Sequence, residues 1–285
     1  MWIVFAFLSA LFAGLASVLA KCGIKDTDST VAMAIRTVVV LVFTWILVGI
    51  QGVFQPLSAL DTKCLVFLAL SGIATGASWF FYYKALSIGD INKVVPIDKS
   101  STVLTIVLAA IILGESITAS SAVGASLILA GTMLMIEKKQ SSGKADGYSY
   151  IAYAVLSAIF AALTSILGKI GVSSIDSTLA TAMRTCIVLI FAFALVVATG
   201  KKEQIWRVGR TELLFIVLSG FATGSSWLCY YKALQDGKAS IVVPIDKLSI
   251  LVSIAFGAIV FKERLSRKSA IGLALLVAGT LSMLI

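Results

Sequence analysis

Residues 71–84 read Ser71-Gly-Ile-Ala-Thr-Gly-Ala-Ser-Trp-Phe-Phe-Tyr-Tyr-Lys84, and residues 219–232 read Ser219-Gly-Phe-Ala-Thr-Gly-Ser-Ser-Trp-Leu-Cys-Tyr-Tyr-Lys232. The two stretches lie 148 positions apart. The same offset relates Arg36-Thr37 to Arg184-Thr185, Pro96 to Pro244, Asp98 to Asp246 and Glu115 to Glu263. Aligned without a gap, residues 3–137 match residues 151–285 at roughly 60 of 135 positions, which is a tandem duplication.

Around this repeat the chain is almost wholly apolar. Of its 285 residues 59% are hydrophobic and 13% charged, where a soluble domain has ~45–50% and ~25%. A mean hydropathy of +1.04 leaves no polar surface with which to face water. The first half holds five apolar runs at about 2–20, 29–50, 64–86, 91–113 and 119–136, and adding 148 gives those of the second half. At ~20 residues per span these predict an all-α integral membrane protein of ten transmembrane helices. One five-helix repeat covers 1–137, a polar linker 138–148, and the second repeat 149–285. Five is odd, so the second copy enters the membrane from the opposite side and the repeats are inverted. A cleaved signal peptide is the rival reading of residues 1–20. It lacks a basic leading region, and its copy at 150–168 is internal.

The charges sort in the same way. Loops after odd-numbered helices hold 15 of the 23 lysines and arginines, and those after even-numbered helices hold only Lys63, Lys169, Lys232 and Lys238. The positive-inside rule then places the linker in the cytoplasm and both termini outside. The net charge of +9 is thus a record of membrane orientation, not of a nucleic-acid partner.

Several chemistries are excluded. The chain has no histidine, which removes imidazole relays, triads and zinc sites. No phosphate-binding glycine loop is present, so nucleotide-driven pumping within the chain is not expected. Cys22, Cys64, Cys186 and Cys229 are scattered and read as reduced packing residues. No metal and no cofactor are expected.

What stands out is charge inside the apolar spans. Arg36 and Arg184 fall about a third of the way into the second span of each half. The motif Val-Val-Pro-Ile-Asp-Lys, at 94–99 and 242–247, falls in the fourth. Asp98 sits eight residues past Asp90, roughly 12 Å deep at 1.5 Å per residue. Six unpaired charges would cost on the order of 15–20 kcal/mol, more than the ~5–15 kcal/mol by which proteins are stable. They must be paired or face water. Asp98 and Asp246 therefore line a hydrated cavity and bind a coupling cation or proton, or pair with Arg36 and Arg184, or lie shallow as dipole partners of a helix start. Pro96 and Pro244 each remove a backbone hydrogen bond and give a hinge.

In the third spans, Ser71, Thr75, Ser78 and Tyr82 recur at helical spacing as one polar stripe, with Trp79 on an overlapping face. Ser78, Trp79 and Tyr82, with their copies Ser226, Trp227 and Tyr230, are candidate substrate contacts through hydroxyls and aromatic faces. An interfacial aromatic belt is the competing reading, strongest for Tyr83. Glu115 and Glu263 read as caps of the fifth helix of each half. Gly124 and Gly131, copied as Gly272 and Gly279, mark a packing seam.

Two tandem five-helix halves, arginine in the second helix, proline in the fourth, a Gly114-Glu115 turn (Lys262-Glu263 in the copy) and the Gly-x6-Gly fifth helix resemble the EamA-type family of the drug/metabolite transporter superfamily. The resemblance covers nearly the whole chain. It implies a ten-helix secondary transporter with helices 1–4 and 6–9 around a central cavity and helices 5 and 10 at the side. Members usually keep both termini in the cytoplasm, and the lysine count here argues the reverse. The expected activity is secondary active transport, as exporter or exchanger, of a small polar or amphiphilic metabolite, amino-acid-like, in the plasma (inner) membrane. Arg36 and Arg184 would balance the aspartates or bind a carboxylate. Expected partners are the lipid bilayer, a small-molecule substrate and a coupling cation or proton, with the chain a monomer or a homodimer. A passive channel or scaffold, or a membrane-embedded lipid-modifying enzyme, is the alternative.

Overall fold

In hydrocarbon every backbone N–H and C=O must find its partner within the segment, so apolar runs of this length have one spanning solution, the α-helix. The computed structural model describes residues 1–24, 26–56, 59–88, 94, 97–98, 100–135, 149–260 and 266–284. Pro96, Lys99, Glu263 and the linker lie outside the described residues, as does the side chain of Tyr83. The first half consists of α1 (Trp2–Gly23), α2 (Ser29–Gln51), α3 (Thr62–Ile88), α4 (Ser101–Leu113) and α5 (Ala119–Met135). The second consists of α6 (Ser149–Gly171), α7 (Ser177–Ala198), α8 (Arg210–Asp236), α9 (Ala239–Lys247), α10 (Ser249–Val260) and α11 (Arg267–Ser282). Among the described residues seven helices reach spanning length, α9 and α10 counting as one, while α4, α5 and α11 supply the fourth, fifth and tenth segments. The protein is an all-α integral membrane protein of two repeats.

Local chemistry is repeated with the sequence. Asp28 and Asp176, 148 apart, are the N-caps of α2 and α7, accepting from Thr30 N at 2.9 Å and Thr178 N at 2.7 Å. Both fourth spans tighten at equivalent places. Ser100 N bonds Ile97 O at 3.2 Å and Leu248 N bonds Ile245 O at 2.9 Å, each three residues back instead of four. In the second half this turn separates α9 from α10 four residues after Pro244, whose ring has no N–H for the ladder.

The packing exchanges partners between halves. Helix α3 lies along α6, α1 along α8, α2 against α7, and α5 against α11. A two-fold operation that swaps the repeats maps each of these pairs onto an equivalent one. The glycines show how close the helices come. A Cβ on Gly72 would meet Ile187, and one on Gly220 would meet Val39, the residue equivalent to Ile187. At the α5–α11 seam a Cβ on Gly131 would stand 2.4 Å from Gly272 O, and one on Gly272 would stand 2.5 Å from Gly131 O. Backbone on backbone leaves nothing that can move aside, and four glycines hold the seam.

Loop contacts sort the ends into two faces. On one, Lys201 Nζ bonds Asp28 Oδ2 at 2.6 Å, and Asp26 N donates to Glu212 Oε1 at 2.7 Å. On the other, Gln235 Nε2 donates to Val172 O and Ile175 O, both at 2.8 Å. Glu115 is on this second face and departs from the sequence expectation. Its carboxylate does not cap α5. It takes Ala239 N at 2.7 Å, Ser240 N at 2.9 Å and Ser240 Oγ at 2.6 Å, so it caps α9 of the opposite repeat. The turn around Gly114 (φ 68°) points the side chain across the boundary instead of along its own helix.

Two predictions follow from packing and loop charge. Gly131→Ala lowers stability by about 1–3 kcal/mol because the seam cannot widen, whereas Gly49→Ala, which meets nothing within 4 Å, raises it by about 0.4–1 kcal/mol; thermal unfolding of the purified protein reads both. At Asp28, burial pushes the pKa up, but hydrogen bonds from Lys201 and Thr30 and the lysine charge outweigh it. The carboxyl is held below its ordinary 3.8. A lowered carboxylate pKa gives stability that is present above 3.8 and lost as pH falls through the folded value. Asp28→Asn keeps the cap and removes the charge, so its melting curve lies below the parent's at neutral pH and converges with it in acid.

Candidate functional site

The boundary between the halves is built from small hydroxyl residues, and these place the charges. Ser219 Oγ donates to Ala16 O at 2.8 Å and Ser226 Oγ to Ser9 O at 3.1 Å, tying α8 to α1. The mirror contacts tie α3 to α6: Ser71 Oγ donates to Thr164 O at 2.8 Å and Ser78 Oγ to Ser157 O at 3.1 Å. Ser9 Oγ also reaches Asp246 Oδ1 at 2.8 Å, and Ser157 Oγ reaches Asp98 Oδ1 at 2.7 Å. Each aspartate is therefore held by a serine of the opposite repeat's first helix, and neither forms an ion pair with an arginine among the described residues. Of the sequence alternatives, the Arg36–Asp98 pair is not what the fold builds.

Arg184 is 2% exposed. Its Nε donates to Ser71 Oγ at 3.1 Å and its Nη2 to Thr75 Oγ1, which are two members of the polar stripe on α3. The guanidinium carbon stands 5.1 Å from the Trp227 ring and 5.0 Å from the Tyr231 ring, both on α8. Each such cation–π contact contributes about 0.5–2 kcal/mol when desolvated. The remaining nitrogen, Nη1, is buried and has no hydrogen-bond partner among the described residues, a condition that costs about 1–3 kcal/mol.

These groups open on one cavity of about 260 Å³ between the repeats. Arg184 lies in its wall with Trp79, Trp227, Tyr230, Tyr231 and Asp246, and Thr75, Thr164, Ser165 and Ser226 add hydroxyls. Tyr230 OH is 2.8 Å from Ser165 Oγ, which fixes its ring. The walls come from α1, α3, α6, α7, α8 and α9; α5 and α11 contribute no described residue. A site of this kind is apolar on its flanks, with one cationic and one anionic group converging on the interior.

Of the candidate residues, the structure thus brings Trp79, Arg184, Ser226, Trp227, Tyr230 and Asp246 together. Ser78 and Asp98 meet at Ser157 in the mirror position, outside this cavity's lining. Tyr82 packs beside Val94, Tyr150 and Ala154. Arg36 is half-buried in a separate pocket of about 160 Å³ with Met33, Ile216 and Ser219. Pro244 is buried within α9; Pro96 is not among the described residues.

The sequence reading passed over Ser9, Ser157, Thr164, Ser165 and the part played by Tyr231. Ser9 and Ser157 carried a signal, since they too are 148 apart in otherwise apolar helices. Thr164 carried none, because its equivalent is Ala16.

The profile of the EamA-like transporter family matches residues 1–137 and again 148–285. An uncharacterized transporter encoded in the cobO 3' region of a Sinorhizobium species is 43% identical over 133 residues, which are 47% of this chain and 94% of that protein. The alignment thus takes up nearly all of the relative, about one repeat of the present chain. An uncharacterized protein of Methanocaldococcus jannaschii is 29% identical over 94 residues, covering 33% of this chain and 62% of its own length. A solved crystal structure superposes with a TM-score of 0.79 over 98% of this chain and 95% of its own, at 17% identity, a likeness of fold. With both halves matched, the chain belongs to the EamA-like transporter family.

Proposed function

We propose that the chain is a secondary active transporter, exporter or exchanger, that moves a small polar or amphiphilic metabolite of amino-acid-like character by alternating access. The observation that carries this reading is the cavity at the boundary of the two repeats, walled by Arg184, Asp246, Trp79, Trp227 and Tyr230. A guanidinium and a carboxylate that face one cavity without pairing suit a ligand carrying both charges, with the indoles and phenol around its body. The halves rock about this site, and the tight turns after Asp98 and Asp246, with Pro96 and Pro244 close by, serve as hinges.

Asp98 and Asp246 are the coupling groups for a proton or cation. Each accepts a serine hydroxyl and has no cationic partner among the described residues, so each retains capacity for a proton or a cation. Arg36 contributes to the charge balance of the opposite half. The lysine bias of the loops supports a linker on the cytoplasmic side of the plasma (inner) membrane with both termini outside, an orientation read by labelling an engineered cysteine in the linker from either side.

The test is counterflow followed by gradient-driven uptake in proteoliposomes. The parent accumulates substrate against its gradient, and Asp98→Asn and Asp246→Asn abolish pH-driven uptake at unchanged expression. Normal gradient-driven transport in both variants removes the coupling role, and equilibration without accumulation makes the protein a channel.

A further inference from the structure

Arg184 is held on three sides. Ser71 and Thr75 accept from Nε and Nη2, and the rings of Trp227 and Tyr231 lie against the guanidinium. These contacts fix the plane of the group and so fix where Nη1 points. It is buried, has no acceptor among the described residues, and belongs to a residue in the cavity wall. Its equivalent, Arg36, lies in a different and smaller pocket, so the duplication supplies two arginines while the cavity uses one.

We propose that Arg184 Nη1 is the docking point for a carboxylate, and that a carboxylate is the substrate feature the cavity requires. The inference rests on the transport reading in taking this cavity as the place where substrate sits. The chemistry follows from the donor set. A guanidinium edge clamped in its plane matches a planar oxyanion and does not match a rotating ammonium. The same wall carries Asp246, so Arg184 and Asp246 sum to no net charge. A dianion such as phosphate would bring a second negative charge against Asp246, whereas a monoanionic carboxylate neutralises Arg184 and leaves Asp246 for a cationic group. Trp227 and Tyr231 hold the guanidinium itself against their faces, so a carboxylate meets Arg184 in the guanidinium plane at Nη1 and not over the rings. Thr164 adds a hydroxyl to this wall where its equivalent in the other half, Ala16, has none.

Thermal unfolding of the purified full chain tests this without requiring flux. The probes are propionate, propionamide and propylammonium, then benzoate, benzamide and benzylammonium, and inorganic phosphate, all at matched ionic strength. Propionate and benzoate raise Tm saturably; the amides, the ammonium ions and phosphate do not. Arg184→Lys keeps a buried cation but loses the planar fork, and it moves the carboxylate midpoint at least about tenfold weaker. Arg184→Gln abolishes the shift; should that variant fail to fold, the lysine variant decides. No shift with either carboxylate, an equal shift with the amides, or a response to phosphate instead overturns the proposal. So does an Arg184→Lys protein whose Tm without ligand falls while its carboxylate midpoint stays unchanged, since that is a purely structural arginine. Carboxylate binding without counterflow would remove the transport reading and leave the docking point standing. Counterflow without any carboxylate effect would remove the docking point alone.

Discussion

Serine hydroxyls donated across the boundary between the two repeats are the interaction on which the rest of this structure depends. In a membrane no water is at hand to satisfy a buried carboxylate or guanidinium, so each must be met by protein or by ligand. Here the protein meets them with neutral partners: Ser9 for Asp246, Ser157 for Asp98, Ser71 and Thr75 for Arg184. An ion pair would quench opposite charges against one another. A hydroxyl lowers the penalty of burial and leaves most of the charge available. The same hydroxyls need helices close enough to touch backbone to side chain, which Gly23 of α1 against α8, Gly171 of α6 against α3 and Gly72 of α3 against α7 allow.

The pairing of helices follows from that requirement. Were each half a separate bundle, α1 would pack within its own repeat and its serine would face neighbours from the same copy. Instead α1 runs along α8 and α3 along α6, so that the serine contacts holding Asp98, Asp246 and Arg184 cross between copies. Glu115 does likewise at the periphery, where its carboxylate holds the start of α9. Each repeat thus supplies hydroxyls and a carboxylate that hold charged groups and a helix start of the other.

Much of this was legible in the sequence, and the parts that were not share a cause. The offset of 148 located the described helices of both halves, most of them to within a turn, because apolar length in a bilayer leaves helix as the one outcome. The expected start of the fourth span falls outside the described residues. The polar stripe of Ser71, Thr75 and Ser78 was legible from its helical spacing, and all three residues do face the other half. What the repeat could not reveal was which residues meet. Self-similarity states that Asp98 and Asp246 have equivalent surroundings and is silent on what those surroundings are. Glu115 looked like a cap of the helix next to it because sequence proximity is the only adjacency a sequence displays. The division between Arg184 and Arg36 was equally hidden, for the two arginines are identical in the repeat and yet line different pockets.

The bridge from Lys201 to Asp28 has a consequence for balance. If the halves were identical, exchanging them would convert the form open on one side into the form open on the other, and the two would be degenerate in energy. Position 201 is lysine, and its equivalent, position 53, is valine. Likewise Glu212 binds Asp26 N on one face, while its equivalent, Cys64, stands 2.7 Å from Ser174 Oγ on the other. Such exposed ionic contacts are worth about 0.2–1 kcal/mol each, enough to weight one form over the other by a factor of roughly 1.4 to 5 per contact at room temperature. Fusing two copies into one chain let each surface be edited alone. In a molecule that alternates as proposed above, a few such loop residues would set the resting preference, far from the cavity and without altering it.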